Sequence, residues 1–200
     1  MGAAQAALYE PMDAPFVTIA AGGQPRAQIV IPAQPQGLER FAATELQRYL
    51  KQISDAELPI VAEGEGLAYP YSFYLGHTVR SQTLGLDLST EVLGRDGFVL
   101  QSVADGICVA GPDKLSPVFG VYELLERWFD VRWFMPIGGE ISAEIAEHVP
   151  RRDTLQMGQV QLAFRPAFRV RWVGNGDWSL RHRMNAYVSV DGRNVGVNWK

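Results

Sequence analysis

The sequence predicts an α+β fold in which a mixed β-sheet carries two amphipathic helices on one face. Two stretches of helical periodicity, at 36–54 and 116–129, are each flanked by short β-rich segments, and a hairpin signature lies between them. Strands that lead into helices and back into strands are typical of a layered α/β or α+β domain. With 200 residues, 47% hydrophobic and 20% charged, the chain can bury a core of ordinary size.

The first half of the chain contains the elements with the simplest patterns. The segments at 16–20 and 27–32 are β-rich and are separated by the turn-forming "AGGQPR", so we predict neighbouring strands paired as a hairpin. Apolar residues repeat at helical spacing over 36–54, which predicts the first helix. Further strands are predicted at 58–63 and 72–78, on either side of a Gly-rich and Tyr-rich loop.

A β-hairpin and the second helix are predicted next. Two apolar runs within 98–111 flank Asp105 and Gly106, a dipeptide that accepts the positive φ angles of a tight turn. Ser116 is the predicted N-cap of a helix whose first residue is Pro117, where the missing N–H costs nothing. One helix face is apolar, and the solvent side is assigned to Glu123, Glu126 and Arg127.

The aromatic-rich stretch 116–136 could be either a ligand platform or packing. Its aromatic residues follow the helical repeat and then the alternation of a strand at 131–136, so packing is the prediction for Tyr122, Leu125, Phe129 and Trp133. Beyond this point the pattern weakens, and 150–158 is predicted to be a connector. A strand is then expected over 163–174 and a helix within 177–187.

Composition and motifs exclude several function classes. The net charge is -4 and the basic residues are mostly scattered, so nucleic acid is not an expected partner. Cys108 lies in an apolar run and is expected to be a buried, inert thiol. The histidines are far apart, and neither a zinc motif nor a nucleotide-binding motif occurs, so no metal or other cofactor is expected. Asp87, Glu91, Asp96 and Asp105 are interpreted as turn residues.

Nothing in the sequence fixes the localisation. No run of about 18 apolar residues is present, so no membrane span is expected. The first fifteen residues lack the basic and apolar regions of a signal peptide, which is therefore either absent or already removed. A secreted or periplasmic location stays open.

The best candidate for ligand contact is the segment "RPAFRVRWVGNGDW". A strand with Arg169 and Arg171 on one side would end near Asn175, and ligands meet the carboxyl ends of strands in barrel and open α/β enzymes. Trp178 could stack on a sugar or simply contact the start of a helix. Solvated arginines on an edge strand are the alternative interpretation.

Three stretches in order resemble a known family: "FAATELQRYLKQISDAELPIV", "LGRDGFVLQSVADGICVAGPDKLSPVFGVYELLERWFDVRWFMP" and "RPAFRVR". They are similar to the N-terminal accessory domain of bacterial α-glucuronidases (glycoside hydrolase family 67) and β-hexosaminidases (family 20), most of all to relatives in domain-of-unknown-function family 4838. The resemblance covers Phe16 to Arg171.

The resemblance implies an accessory domain at 15–156, a mixed sheet with two helices on one face, followed at 160–200 by the first elements of a (β/α)8 barrel. It also implies that Arg171 matches a sugar-gripping arginine of family 20, although Trp172 stands here where that family has glycine. Glycoside hydrolysis needs carboxyl groups about 5 to 10 Å apart. In such barrels later strands supply them, so no catalytic residue is expected in this chain.

We therefore expect a non-catalytic accessory domain of a carbohydrate-active protein, an amino-terminal fragment that is inactive alone and meets oligo- or polysaccharide only through the full-length protein. Substrate contacts would come from Arg171, Arg169, Asn175 and Trp178. The alternative is a free-standing carbohydrate-binding module that uses exposed aromatic residues, namely Tyr69, Tyr71, Tyr74 and Trp178.

Overall fold

The computed structural model describes residues 16–35, 37–173, 176–190 and 193–196. The strands are β1 (Val17–Ala21), β2 (Gln24–Pro25), β3 (Ala27–Ile31), β4 (Ile60–Ala62), β5 (Tyr71–Leu75), β6 (Phe98–Val103), β7 (Gly106–Ala110), β8 (Arg132–Trp133), β9 (Glu147–His148), β10 (Thr154–Met157), β11 (Gln161–Phe164), β12 (Ser189–Val190) and β13 (Arg193–Asn194). The helices are α1 (Glu39–Ser54), α2 (Val79–Gln82), α3 (Thr90–Leu93), α4 (Ser116–Trp128), α5 (Ala143–Ala146) and α6 (Gly176–Arg181).

A six-stranded mixed sheet in the order β11-β6-β7-β5-β3-β4 forms the centre of the fold. The strands β4, β3, β5 and β7 run parallel, while β6 pairs antiparallel with both of its neighbours, β7 and β11. Helices α1 and α4 pack against each other and against this sheet, and their buried residues belong to one apolar core. The predicted α+β layer is confirmed, and so is the hairpin formed by β6 and β7.

The aromatic-rich stretch is core, as predicted. Tyr122, Leu125, Phe129 and Trp133 are all buried. The indole of Trp133 meets the rings of Tyr49 and Tyr122 edge to face, at centroid distances of 5.6 and 5.3 Å. Edge-to-face contacts suit aromatic quadrupoles, so these rings are held by packing rather than presented to a ligand.

The start of α4 differs from the prediction that Ser116 is the N-cap. Leu115 is the N-cap residue and Ser116 is the first helical residue. The carboxylate of Asp113 accepts the Leu115 N–H at 3.0 Å, while the Ser116 hydroxyl accepts the Asp113 N–H at 3.2 Å. The side chain of Asp113 therefore accepts a backbone N–H at the start of the helix, the role that was predicted for Ser116.

The predicted pairing of the first two long strands is wrong. β1 does not pair with β3; it lies antiparallel between β2 and β10 in a separate three-stranded sheet. β3 instead pairs in parallel with β4 and β5. The segment predicted to be a connector at 150–158 therefore contains a strand, β10, whose partner is about 135 residues away in sequence.

Two predictions beyond α4 also need correction. The short strand β8 pairs with β9 in its own ribbon and is not part of the main sheet. The strand predicted over 163–174 ends at Phe164, where β11 completes its pairing with β6, and 165–173 contains no strand. In that stretch the carbonyl of Arg171 accepts the N–H groups of Asn185 and Ala186, each at 3.1 Å, so its backbone bonds to a turn instead of a sheet.

The opposite face of the main sheet holds smaller apolar clusters. Cys108 packs there with Val30 and Tyr74, and it is buried as predicted. Burial raises the pKa of the Cys108 thiol to about 12, which leaves it inert at neutral pH. Among the described residues, none of the helices has the length and apolar character needed to cross a membrane.

Candidate functional site

The guanidinium of Arg171 is enclosed by protein groups. Its Nε donates to the carbonyl of Arg183 at 2.8 Å, and Nη1 donates to the carbonyl of Phe168 at 2.9 Å. Its Nη2 lies 3.4 Å from a carboxylate oxygen of Asp96. The side chain is only 14% exposed, and burial lowers its pKa against the opposing effect of Asp96. Through these contacts the Arg171 side chain links Phe168, Arg183 and Asp96.

Asp96 is the buried carboxyl group that the sequence did not reveal. It was predicted to be an ordinary turn residue, and it does adopt the left-handed backbone region, at φ 61°. However, it is 2% exposed. Its carboxylate accepts hydrogen bonds from the side chains of Asn185 and Arg171. Nothing in "GRDG" separates a buried aspartate from a solvated one.

The surroundings of Asp96 raise its pKa to about 6. Burial is the main cause and the charge of Asp113 adds to it, while the hydrogen bond from Asn185 and the charge of Arg171 act in the opposite direction. The N–H of Asp96 also donates to Asp113 at 2.7 Å. Such a pKa lies in the range of a general acid, but the side chain is 2% exposed and is already bonded to two partners.

Two further arginines join the C-terminal segment to the helices and ribbon. Arg181, in α6, donates to Glu147 at 2.6 Å. Arg183 pairs with both Glu123 and Glu126 of α4. Glu123 was predicted to lie on the solvent side, yet it is 3% exposed because Arg183 and Arg127 both bind it. We call these ion pairs of Arg171, Arg181 and Arg183 the arginine seam.

The seam continues into a buried hydrogen-bond network. Glu147 also accepts the hydroxyl of Tyr49 at 3.1 Å, and that hydroxyl accepts the indole N–H of Trp133 at 2.7 Å. Burial raises the pKa of Tyr49 to about 12, although the charges of Arg181 and Arg48 oppose this. Tyr49 is therefore neutral at physiological pH and available as a donor.

The other predicted site residues have different environments. Arg169 is exposed, and its carbonyl accepts the side-chain amide of Asn185 at 2.9 Å. Trp178 is half-buried against the core; its indole N–H donates to the Trp133 carbonyl at 3.3 Å and its ring lies 4.4 Å from that of His182. Asn175 lies outside the described residues. The structure gathers Arg169 and Arg171 around Asn185, and Trp178 lies over Trp133 instead.

The aromatic row of the alternative hypothesis does not form. Tyr71 is 8% exposed and Tyr74 is 5% exposed. Tyr74 donates its hydroxyl to Asp105 at 2.8 Å. Tyr69 and Trp178 are each half-buried, and Trp178 is packed against the core. These four residues do not present a flat exposed surface to a polysaccharide.

An exposed apolar cluster lies on the segment that carries the seam. Phe168 is 72% exposed and Trp172 is 58% exposed. Tyr187 contacts Trp172 edge to face, at 6.1 Å between ring centroids. Val173 next to Trp172 is also exposed. Large exposed apolar groups of this kind mark surfaces that another molecule or domain covers. Sequence reasoning missed them because it placed 163–174 in a strand.

Comparisons with known proteins gave matches among solved structures only. No family model matches the chain, and no curated protein matches it either. One similar structure is a family GH115 4-O-methyl-α-glucuronidase with specificity for decorated arabinogalactans, at 16% identity and a TM-score of 0.48, covering 80% of this chain and 19% of that one.

Two other similar structures are mutant β-hexosaminidases of Streptomyces plicatus in complex with the product GlcNAc. They match at 14% identity, with TM-scores of 0.47 and 0.45, and they cover 82% and 74% of this chain. The chain spans 26% and 24% of their length. All three are glycoside hydrolases that are much longer than this chain, and at this level of similarity their activities are not transferred to it.

Proposed function

We propose that the chain is a non-catalytic accessory domain of a carbohydrate-active protein, residues 15–156, followed at 160–200 by the beginning of a (β/α)8 barrel that it supports. The order of motifs that carries the family resemblance supports this proposal. The predicted first helix, the hairpin after "GRDG" and the second helix all contribute to one apolar core, as expected for an accessory domain of that kind.

The arginine seam is the observation that carries the proposal. Within the described residues, Arg171, Arg181 and Arg183 of this segment donate to carboxylates and carbonyls of the same chain. These polar groups, together with buried apolar residues such as Leu180 and Val188, hold the segment to the sheet layer, while Phe168, Trp172 and Tyr187 remain exposed on the outside. A segment that is attached to the layer and exposes large apolar side chains suits a supporting element whose exposed surface is covered by a further apolar element.

Enzyme assays test the non-catalytic part. The purified chain should release no 4-nitrophenol from a panel of 4-nitrophenyl glycosides, including glucuronides and N-acetylglucosaminides. Arg171→Met and Asp96→Asn variants should be indistinguishable from the parent. Turnover that survives repurification would overturn the proposal, and its loss in Asp96→Asn would make the buried carboxyl catalytic.

Stability measurements test the supporting part. In this chain Trp172→Asp should change the free energy of unfolding by no more than about 0.5 kcal/mol, because the indole is exposed. In a polypeptide that also contains the barrel, the same substitution should cost about 2 kcal/mol or more, since it would place a charge in an apolar interface. Equal effects in the two proteins would contradict a covered interface.

A further inference from the structure

A groove of about 520 Å³ lies between β1, the residue that joins β2 to β3, and the beginning of β5. Its volume is within the range of small-molecule sites. It is distinct from the seam, and its lining residues are Val17, Thr18, Ala21, Arg26, Tyr69, Pro70 and Tyr71.

The backbone holds the two walls of the groove in fixed register. The N–H of Arg26 donates to the carbonyl of Ile19 at 2.9 Å. The next residue, Ala27, pairs with Tyr71 in the parallel ladder between β3 and β5. Arg26 and Pro70 are therefore held side by side, each one residue before the paired positions.

Arg26 is the single charged residue among those that line the groove. Arg171, Arg181 and Arg183 all bind carboxylates. By contrast, no hydrogen bond or ion pair of the Arg26 guanidinium is found within the described part of the chain, and the residue is exposed. A guanidinium presents a planar fork of donors that matches a carboxylate, so the charge of this groove fits an anion.

The surface beside Arg26 is apolar and aromatic. Tyr69 is half-buried, and Pro70 next to it restricts the backbone. Tyr71 forms the deeper part, with 8% exposure, and its hydroxyl lies 3.7 Å from the sulfur of Met157. Rings of this kind can cover the C–H face of a ring-shaped ligand.

We infer that this groove binds a uronic acid residue of a glycan, with its carboxylate on Arg26 and its pyranose ring against Tyr69 and Pro70. A neutral sugar would leave the guanidinium without its anion, and a small free carboxylate would leave the aromatic wall empty. The choice of a sugar as the ring-shaped ligand rests on the proposed function; the need for an anion rests on the charge of the groove alone.

Titration with methyl α-D-glucuronide, with methyl α-D-glucoside as its neutral match, tests the inference. Saturation-transfer NMR and calorimetry on the whole chain should show saturable binding of the glucuronide, and binding of the glucoside at least about tenfold weaker, because one charge-assisted contact is lost. Sodium acetate at the same concentrations should not displace the glucuronide.

Matched variants locate the site. Arg26→Met and Tyr69→Ala should each weaken glucuronide binding about tenfold or more. Arg40→Met, an exposed arginine on α1, and Tyr187→Ala, an exposed tyrosine elsewhere, should bind like the parent. Circular dichroism of all four variants checks that each is folded.

Four results would overturn the inference: no glucuronide binding by the parent chain, equal binding of glucoside and glucuronide, parental binding by Arg26→Met, or displacement by acetate. The last of these would show an anion site without a sugar. None of these results bears on the accessory role, which needs no sugar contact in this groove. Conversely, glycoside turnover would remove the proposed function and leave the binding data unchanged.

Discussion

The helix-sheet layer and the C-terminal segment are held by different combinations of forces. In the layer, α1 and α4 bury aliphatic and aromatic side chains on one face of the six-stranded sheet. In the segment after β11, residues such as Leu180 and Val188 join the same apolar core, but three arginines add buried ion pairs, and large apolar side chains such as Phe168 are exposed. The first region behaves as an ordinary core; the second combines a few buried apolar residues with specific ion pairs.

This difference explains which parts were predictable from the sequence. Apolar side chains in α1 and α4 repeat every three or four residues, so the helix faces follow from local spacing. Asp105 and Gly106 likewise fix the β6–β7 hairpin from two adjacent residues. These elements were predicted correctly because their cause lies within a few residues of the chain.

The parts that were missed depend on distant partners. The segment 154–157 forms strand β10 because it pairs with β1, and no residue pattern near 154–157 reveals this pairing. The same holds for Asp96, whose burial is caused by Arg171 and Asn185, far along the chain. The arginines of "RPAFRVRW" and "RHR" were visible in the sequence, but the carboxylate partners of Arg171, Arg181 and Arg183 lie far along the chain and could not be read from it.

The largest effect should come from a cavity in the layer. Phe73→Ala, in the central strand β5, removes a side chain with 0% exposure and should lower the free energy of unfolding by about 3 to 5 kcal/mol. Phe168→Ala is the matched control, because the same change at a residue with 72% exposure should have little effect. Urea denaturation followed by circular dichroism measures both, and similar losses at the two sites would contradict the assignment of the core.

A somewhat smaller loss should follow from breaking the seam. Arg181→Met leaves Glu147 without its cationic partner in a nearly buried site and should cost about 3 kcal/mol. Adding Glu147→Gln should recover part of that loss, since the uncompensated charge is then removed. Urea denaturation of both single variants and the double variant measures the coupling, and additive losses would show that the two side chains are not coupled.

The free energy of unfolding should depend on pH through Asp96, the carboxyl group that binds Arg171 of the C-terminal segment. Because the pKa is raised to about 6 from its ordinary value of 3.8, the folded state binds this proton more tightly than the unfolded state. The stabilisation from protonated Asp96 is then fully present below about pH 4 and is lost as pH rises through about 6.

Asp96→Asn removes this titration and tolerates the positive φ angle, since asparagine adopts that backbone region readily. Relative to this variant, the parent should lose stability on the order of 2 kcal/mol between pH 4 and pH 7. Urea denaturation at several pH values measures the difference, and parallel curves for the two proteins would refute the assigned pKa.

The smallest effect should come from the hydrogen bond that joins Trp178 to the ribbon. Trp178→Phe keeps the packing against the core and removes the donor to the Trp133 carbonyl, so it should cost about 1 kcal/mol. Trp172→Phe, at an exposed indole, serves as the control and should be neutral. Thermal denaturation resolves the two, and a neutral Trp178→Phe would mean that this hydrogen bond contributes nothing.

Hydrogen exchange of the backbone amides around α6, followed by mass spectrometry, tests the role of the seam most directly. We predict that the amides of 178–186 are protected in the parent chain, and that Arg181→Met removes their protection while α1 and α4 keep theirs. Fast exchange of 178–186 in the parent, or simultaneous loss of protection in α1 and α4 in the variant, would contradict a C-terminal segment held to an independent layer by its arginines.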